Sequence, residues 1–224
     1  MKKIIIFGGG VHSKVVFSEV IQLRKFSILG FIDDFTEKGK IIETHKSKVY
    51  KNLGKIKDLK KFKNVNGIIG VGSNYVRKKI FDEVNTLIKN FKWATVISEN
   101  SIINGKVSIG DGSVIISNSV INTGTTIGNH CLINTSSSID HDNKFDDFSS
   151  TGPSVTTGGN VCVGEMSYLG IGSIIKHQIN IGKNTIIGGN SFVNKNCEDS
   201  SVYYGAPSKK IRTRKSEDKF LRDI

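Results

Sequence analysis

A histidine between two aspartates, Asp140-His141-Asp142, is the constellation in this chain best suited to moving a proton. An imidazole with a pKa near 6.5 takes up and returns a proton close to neutral pH. A carboxylate beside it would fix the tautomer and stabilise the imidazolium, and spacing alone leaves open whether Asp140 or Asp142 turns toward the ring. A second set lies near the start of the chain. Gly8, Gly9 and Gly10 follow an apolar run and lead into a segment containing His12, an order that lets phosphate approach backbone N–H groups at a helix start. Ser13 stands where a dinucleotide fingerprint has its third glycine, so a nucleotide-containing ligand fits better than a complete nicotinamide site. Asp33 and Asp34 close the next apolar run, and Gly72, Ser73 and Asn74 close the third. In a parallel sheet all of these meet at the carboxyl ends of the strands, where ligands gather. The plain alternative is turn glycines with helix N-caps at Ser73 or Asn74.

The elements that must hold these groups are of two kinds. Lys2 to Phe7, Ile28 to Ile32 and Gly67 to Val71 read as buried strands. They alternate with helical patterns that carry Val11, Val15, Val16, Val20 and Ile21, and then Val76, Ile80, Phe81, Val84, Leu87 and Ile88. This is an α/β domain with a small parallel, Rossmann-like sheet, expected over residues 1–92. From Ile97 to Val193 the pattern changes to a period of six, with apolar residues at 15 of 17 positions and no slip in register. Each hexad forms one flat face of a prism and three hexads close a coil, with neighbouring coils pairing as parallel strands at a rise of roughly 4.8 Å. The expected architecture is a parallel β-helix over residues 93–211, followed by a basic C-terminal tail, 212–224. A small residue four places after the marked one, such as Ser113 or Ser137, fits the tight corner. His141, two places after Ile139, is expected to point outward from a flat face. The inward row fades over Phe145, Thr151 and Thr157, directly after His141.

Composition narrows the setting. No apolar run approaches the ~18 residues of a membrane span, and the chain enters a strand at once with no signal-peptide layout, so a soluble, cytoplasmic protein without a membrane partner is expected. Cys131, Cys162 and Cys197 are scattered, form no CxxC, and suit a reducing compartment in structural roles. The net charge of +12 has two readings: a solubilising Lys-rich surface that reflects genome composition, or a field that draws anionic small molecules. Nucleic acid is set aside, for want of a motif and of aromatic interleaving. The basic stretch from Lys209 to Arg222 would lie near a phosphate-bearing ligand.

Taken in order, FGGGVHSKVV, FIDDF, GVGSN with Arg77 close behind, a hexapeptide prism containing NTSSSIDHD, and YGAPSKKI resemble the bacterial sugar acyltransferases. The chain is similar to the sialic-acid O-acetyltransferases and to the enzymes that N-acetylate UDP-4-amino-sugars, over nearly its whole length. The resemblance implies a left-handed β-helix assembled as a homotrimer with active sites between subunits, and acetyl-CoA lying between neighbouring prisms. It implies a nucleotide-sugar held by Gly8, Gly10, His12, Asp33, Asp34, Gly72, Ser73, Asn74 and Arg77. It further implies direct acetyl transfer with His141 as general base, a backbone N–H at Gly159 on the developing oxyanion, and Gly189 and Lys209 along the CoA arm. Two departures stand out: Ser150 replaces a second histidine that related enzymes carry, and Pro153 enters a repeat. The FIDDF and GVGSN segments favour an amine acceptor over the hydroxyl of a sialic-acid-like sugar.

Two rivals bound this reading. Hexapeptide carbonic anhydrases bind metal through three histidines, but His141 and His177 lie two coils apart, at about 10 Å of rise, and residues 178–183 offer no third ligand. With His130 the other candidate, no metal is expected. The remaining class is a non-catalytic nucleotide-sugar-binding or scaffold protein.

Overall fold

The structure is a computed structural model that describes residues 1–218, and the chain divides into two compact units, Met1–Val96 and Ile97–Ile224. In the first, β1 (Lys2–Phe7) carries four consecutive buried apolar residues, the mark of a strand covered on both faces. It is flanked in parallel by β2 (Phe26–Ile32) and by the strand Val65–Ile69, with α1 (Val11–Gln22) as the crossover from β1 to β2 and α2 (Asn74–Leu87) following Val65–Ile69. Between β2 and Val65–Ile69 the chain adds an antiparallel hairpin, β3 (Ile41–His45) with β4 (Lys48–Lys51), then a 3-10 turn at Ile56–Lys61. Val65–Ile69 is thus β5. An aromatic cluster of Phe7, Phe81, Phe91 and Trp93 packs at the β5 side, with ring centroids 5.0–6.0 Å apart.

The second unit is a parallel β-helix. Two-residue rungs recur every six residues from Val96–Ile97 to Phe192–Val193, and the second residue of each is the marked position of the repeat. The rungs stack eighteen residues apart into three ladders, one of them extended by Ser201–Tyr204 and by the antiparallel strand Lys209–Thr213. Most corners turn the chain onto the next face by placing the residue three after the marked one in the left-handed region, as at Asn118, His130, Asp142, Asn160 and Asn184. The residue after that returns to the interior and forms a second buried row that includes Ser119, Thr125, Cys131, Ser137 and Asn143. Hydroxyls in this row reach the backbone one coil on: Ser119 Oγ donates to the Asn134 carbonyl at 3.0 Å and Thr125 Oγ1 to the Asp140 carbonyl at 2.9 Å.

Three expectations need correction. The inward row does not fade: Phe145, Thr151 and Thr157 are all buried, and what changes is their chemistry. Thr151 Oγ1 accepts from Asn134 N at 2.8 Å and Thr157 Oγ1 from Asp140 N at 3.4 Å, so the hydroxyls brace loop backbone that an aliphatic would leave unpaired. His141 sits in a turn after the Ser138–Ile139 rung, not on a flat face. Cys162 is exposed on an outward rung position, whereas Cys131 and Cys197 are buried. Beyond Ile211, Arg212 and Thr213 continue a strand. The buried Arg214 then donates to the Asn184, Ser216 and Asp218 carbonyls. Residues 219–224 of the expected basic tail lie outside the described residues.

Stacking one strand spacing apart explains the glycine that so often follows the marked aliphatic. A Cβ built at Gly164 would stand 2.7 Å from the backbone nitrogen of Lys183 in the next coil, where neither partner can move without opening the ladder. Gly164→Ala should therefore cost about 1–3 kcal/mol of stability, read by chemical denaturation. Gly10→Ala, where a Cβ meets nothing within 4 Å, should cost less.

Candidate active site

His141 owes its position to three features of its turn. Asp142 takes the left-handed corner, with φ of 57°, which swings its carboxylate back onto the ring. Its Oδ2 lies 2.8 Å from His141 Nδ1. Asp140 is used differently: its Oδ1 accepts from His141 N at 2.8 Å and from Asn122 Nδ2 at 3.2 Å, tying the turn to the coil below. The buried Asn143 directs its amide nitrogen at the carbonyls of Asp140, His141 and Gly158, at 2.7, 3.1 and 3.0 Å, which locks the turn to the coil above. With Nδ1 donating to a carboxylate, the lone pair is left on Nε2. The hydrogen bond to Asp142 is the largest influence and holds the His141 pKa above 6.5 against the opposing cost of desolvation, with the charges of Asp140 and Asp142 adding to the rise.

Above the ring the wall is missing. A Cβ at Gly159, eighteen residues on, would stand 2.5 Å from both Nε2 and Cε1 of His141. The bare glycine leaves an open groove of about 360 Å³ lined by Asp140, His141, Gly158, Gly159, Asn160, His177 and Gln178. Gly189 and Lys209, expected to serve the same ligand, are exposed elsewhere on this chain and do not line the groove. Among the described residues no group of three or more His, Cys, Asp or Glu side chains is placed to hold a metal ion. His130 is buried and stacks on Phe148, with ring centroids 5.1 Å apart.

In the first unit, Gly8, Gly10, His12, Asp33, Asp34 and Gly72 converge as expected on a cleft of about 470 Å³ at the carboxyl ends of the strands. The two carboxylates are occupied in shaping it. Asp33 accepts from Gly9 N at 2.8 Å, Phe35 N at 3.0 Å and Thr36 N at 2.7 Å, while Asp34 accepts from Ile56 N at 2.8 Å. Burial and then the Arg77 charge push the His12 pKa down to about 4, so its imidazole is neutral at neutral pH. Ser73, Asn74 and Arg77 do not line this cleft. Ser73 caps α2 by accepting from Val76 N at 3.4 Å, Asn74 is buried, and the buried Arg77 donates to the Val71 and Gly72 carbonyls at 3.3 and 2.9 Å. Arg77 thus acts on the cleft by holding the Gly72 loop. Phe35, 98% exposed, rims the opening together with Val11, which the helical pattern placed among the apolar positions of α1 but which is 83% exposed.

Residues 3–84 match the family model of the PglD N-terminal domain. The acetyltransferase domain of PglB from Neisseria gonorrhoeae FA1090 is 25% identical, superimposes with a TM-score of 0.85, and covers 94% of this chain and 100% of its own. Over nearly its whole length the chain is thus similar to an acetyltransferase domain. Two further solved structures share the fold. PerB from Caulobacter crescentus, solved with CoA and GDP-perosamine, is 24% identical with a TM-score of 0.83 over 94% of this chain and 97% of that one. WeeI from Acinetobacter baumannii AYE is 23% identical with a TM-score of 0.81, over 93% and 99%. The PglB domain has also been solved in complex with acetyl coenzyme A.

The geometry gives a direct prediction for the ring. Asp142 raises the His141 pKa, so Asp142→Asn should lower it, and the imidazole should titrate at lower pH than in the wild type. NMR titration of the ring resonances, assigned through His141→Gln, measures both values; an unchanged midpoint would place the carboxylate elsewhere.

Proposed function

We propose that this acyltransferase moves an acetyl group from acetyl-CoA to the amine of a nucleotide-linked amino-sugar, with His141 as general base. The observation that carries the reading is the pairing of His141 Nδ1 with Asp142 while Nε2 faces the notch over Gly159. A base oriented through one nitrogen and bare at the other is what removal of a proton from an attacking amine requires.

As the amine nitrogen bonds to the acetyl carbon, Nε2 takes its proton, and Asp142 stabilises the imidazolium that results. The same proton passes to the CoA sulfur as the carbon–sulfur bond breaks, which returns His141 to its starting form. No covalent bond to the protein is needed. The Gly159 N–H is assigned to the oxygen that gains charge, since a backbone donor with no side chain beside it is the group that can approach closely. Residues 1–92 are assigned to the nucleotide-sugar, through the cleft that contains Gly8, Gly10, His12, Asp33, Asp34 and Gly72. A homotrimer with active sites between copies is supported by two observations. Gly189 and Lys209 lie outside the His141 groove of their own chain, and the adjacent outward rung positions Ile174 and Phe192 are exposed apolar residues on one ladder. The PerB complex with GDP-perosamine and CoA supports an amino-sugar acceptor over the hydroxyl of a sialic-acid-like sugar.

Thiol release from acetyl-CoA, measured with UDP-, dTDP- and GDP-linked amino-sugars and with a sialic acid, tests the proposal. An amino-sugar nucleotide should be the acceptor, and His141→Ala should lose ~10²–10⁴-fold in turnover. Rapid turnover by that variant would remove His141 from the role of base, and no turnover with any acceptor would favour a binding or scaffold protein.

A further inference from the structure

The whole net charge of the protein resides in its first unit. Residues 1–96 hold twenty Lys and Arg against eight Asp and Glu, and residues 97–224 hold twelve of each, so +12 falls on the first unit and none on the β-helix. A compositional bias toward lysine would act on both units alike. The partition therefore calls for a local reason.

The parallel topology collects part of that charge on one edge. Lys2 and Lys3 open β1, in register with Phe26 and Ser27 of β2, and Lys3 is also in register with Val65 of β5. Arg24 and Lys25 immediately precede β2, and Lys63 precedes β5. Trp93 bridges Gly67 in parallel as a further rung, which brings Lys92 to the same end. All six side chains are exposed, and among the described residues none has a carboxylate within 4.0 Å. Adjacent strands are about 4.8 Å apart, well inside the ~8–10 Å over which salt screens charge. The six cations therefore repel one another, and their fields add. Arg24 and Lys25 also follow the C-terminus of α1, where cations are favoured. That accounts for two positions and leaves the four at the other strands unexplained by the fold.

We infer that the amino-terminal edge of this sheet docks on an anionic phospholipid surface. A row of lysines along strand ends is a flat polybasic face, the form that binds acidic headgroups without insertion. Nucleic-acid recognition would use aromatic stacking or arginine forks. Five of the six residues are lysine, and the neighbouring Phe26, Phe62 and Phe91 are half-buried against the sheet and not presented. The cleft opens at the carboxyl ends of the same strands, so docking by the opposite edge leaves it free. Among the described residues no helix is long and apolar enough to cross a membrane, which bears only on insertion and not on contact of this kind.

Co-sedimentation of the full chain with phosphatidylcholine vesicles, with and without about 30 mol% phosphatidylglycerol, tests this. The wild type should bind only the anionic vesicles and release as KCl rises from about 50 to about 300 mM. Arg24→Glu, Lys25→Glu, Lys63→Glu and Lys92→Glu together should weaken binding at least about tenfold, and the four corresponding Gln changes should weaken it in the same direction. The same charge reversal on the hairpin, at Lys40, Lys46, Lys48 and Lys51, should leave binding within about threefold. Equal binding to neutral vesicles, an equal loss in the hairpin variant, or displacement of the wild type from vesicles by RNA at matched phosphate would overturn the inference.

Discussion

Everything in the second unit depends on one constraint: each coil must lie one hydrogen-bonded strand spacing above the last. The N–H of Asn122 has the carbonyl of Ile139 at 2.9 Å in the coil above, and that of Asn160 has the carbonyl of His141 at 3.0 Å in the coil below, so each coil takes its partners from its neighbours on both sides. A backbone satisfied in this way cannot shift by one residue without losing its ladder and turning its aliphatics outward. That is why the period holds without a slip for seventeen rungs. It is also why side chains eighteen residues apart stand in columns, and why the one bare position in a column becomes a notch.

The candidate site is a direct product of those columns. His141, Gly159 and His177 stand one above another, and the glycine between the two imidazoles creates the groove. The turn beneath is held by groups on both neighbouring coils, Asn122 through Asp140 below and the Gly158 carbonyl through Asn143 above. The ring therefore keeps its orientation without being buried. An exposed histidine is ordinarily free to rotate; here an adjacent carboxylate at a left-handed corner fixes it, and the fixed ring presents Nε2 to solvent and ligand.

Much of this was legible in the sequence because a six-residue period has one structural meaning. The inward aliphatics, the two units and the His141 region followed from spacing, and the small parallel sheet followed from buried runs alternating with amphipathic ones. What escaped the reading was conformational. Left-handed corners accept Asn, Asp, His, Ser, Gln, Phe and Met, and so leave no single residue type to recognise. Hence His141 was placed on a face and not in a turn, and Asn143, the brace of the site, was not singled out. Arg77 and Asn74 drew attention as polar residues near glycines, but a buried arginine bonded to two carbonyls supports a loop and does not touch the cleft. Counting in eighteens put His177 two coils above His141, where it was weighed only as a metal ligand and not as a lining residue of the groove.

The account stands on the open edge of His141 at Gly159. Gly159→Ala separates that claim from general stability, because the added methyl would collide with a side chain, the His141 ring, and its three nearest neighbours are all atoms of that ring. Acetyl transfer and thermal unfolding, measured on the same preparation, give the answer. Displacement of a reacting group by about 1 Å can cost ~10²-fold, so turnover should fall by about that much while the melting temperature stays near that of the wild type. Full turnover with the methyl in place would contradict the site as described.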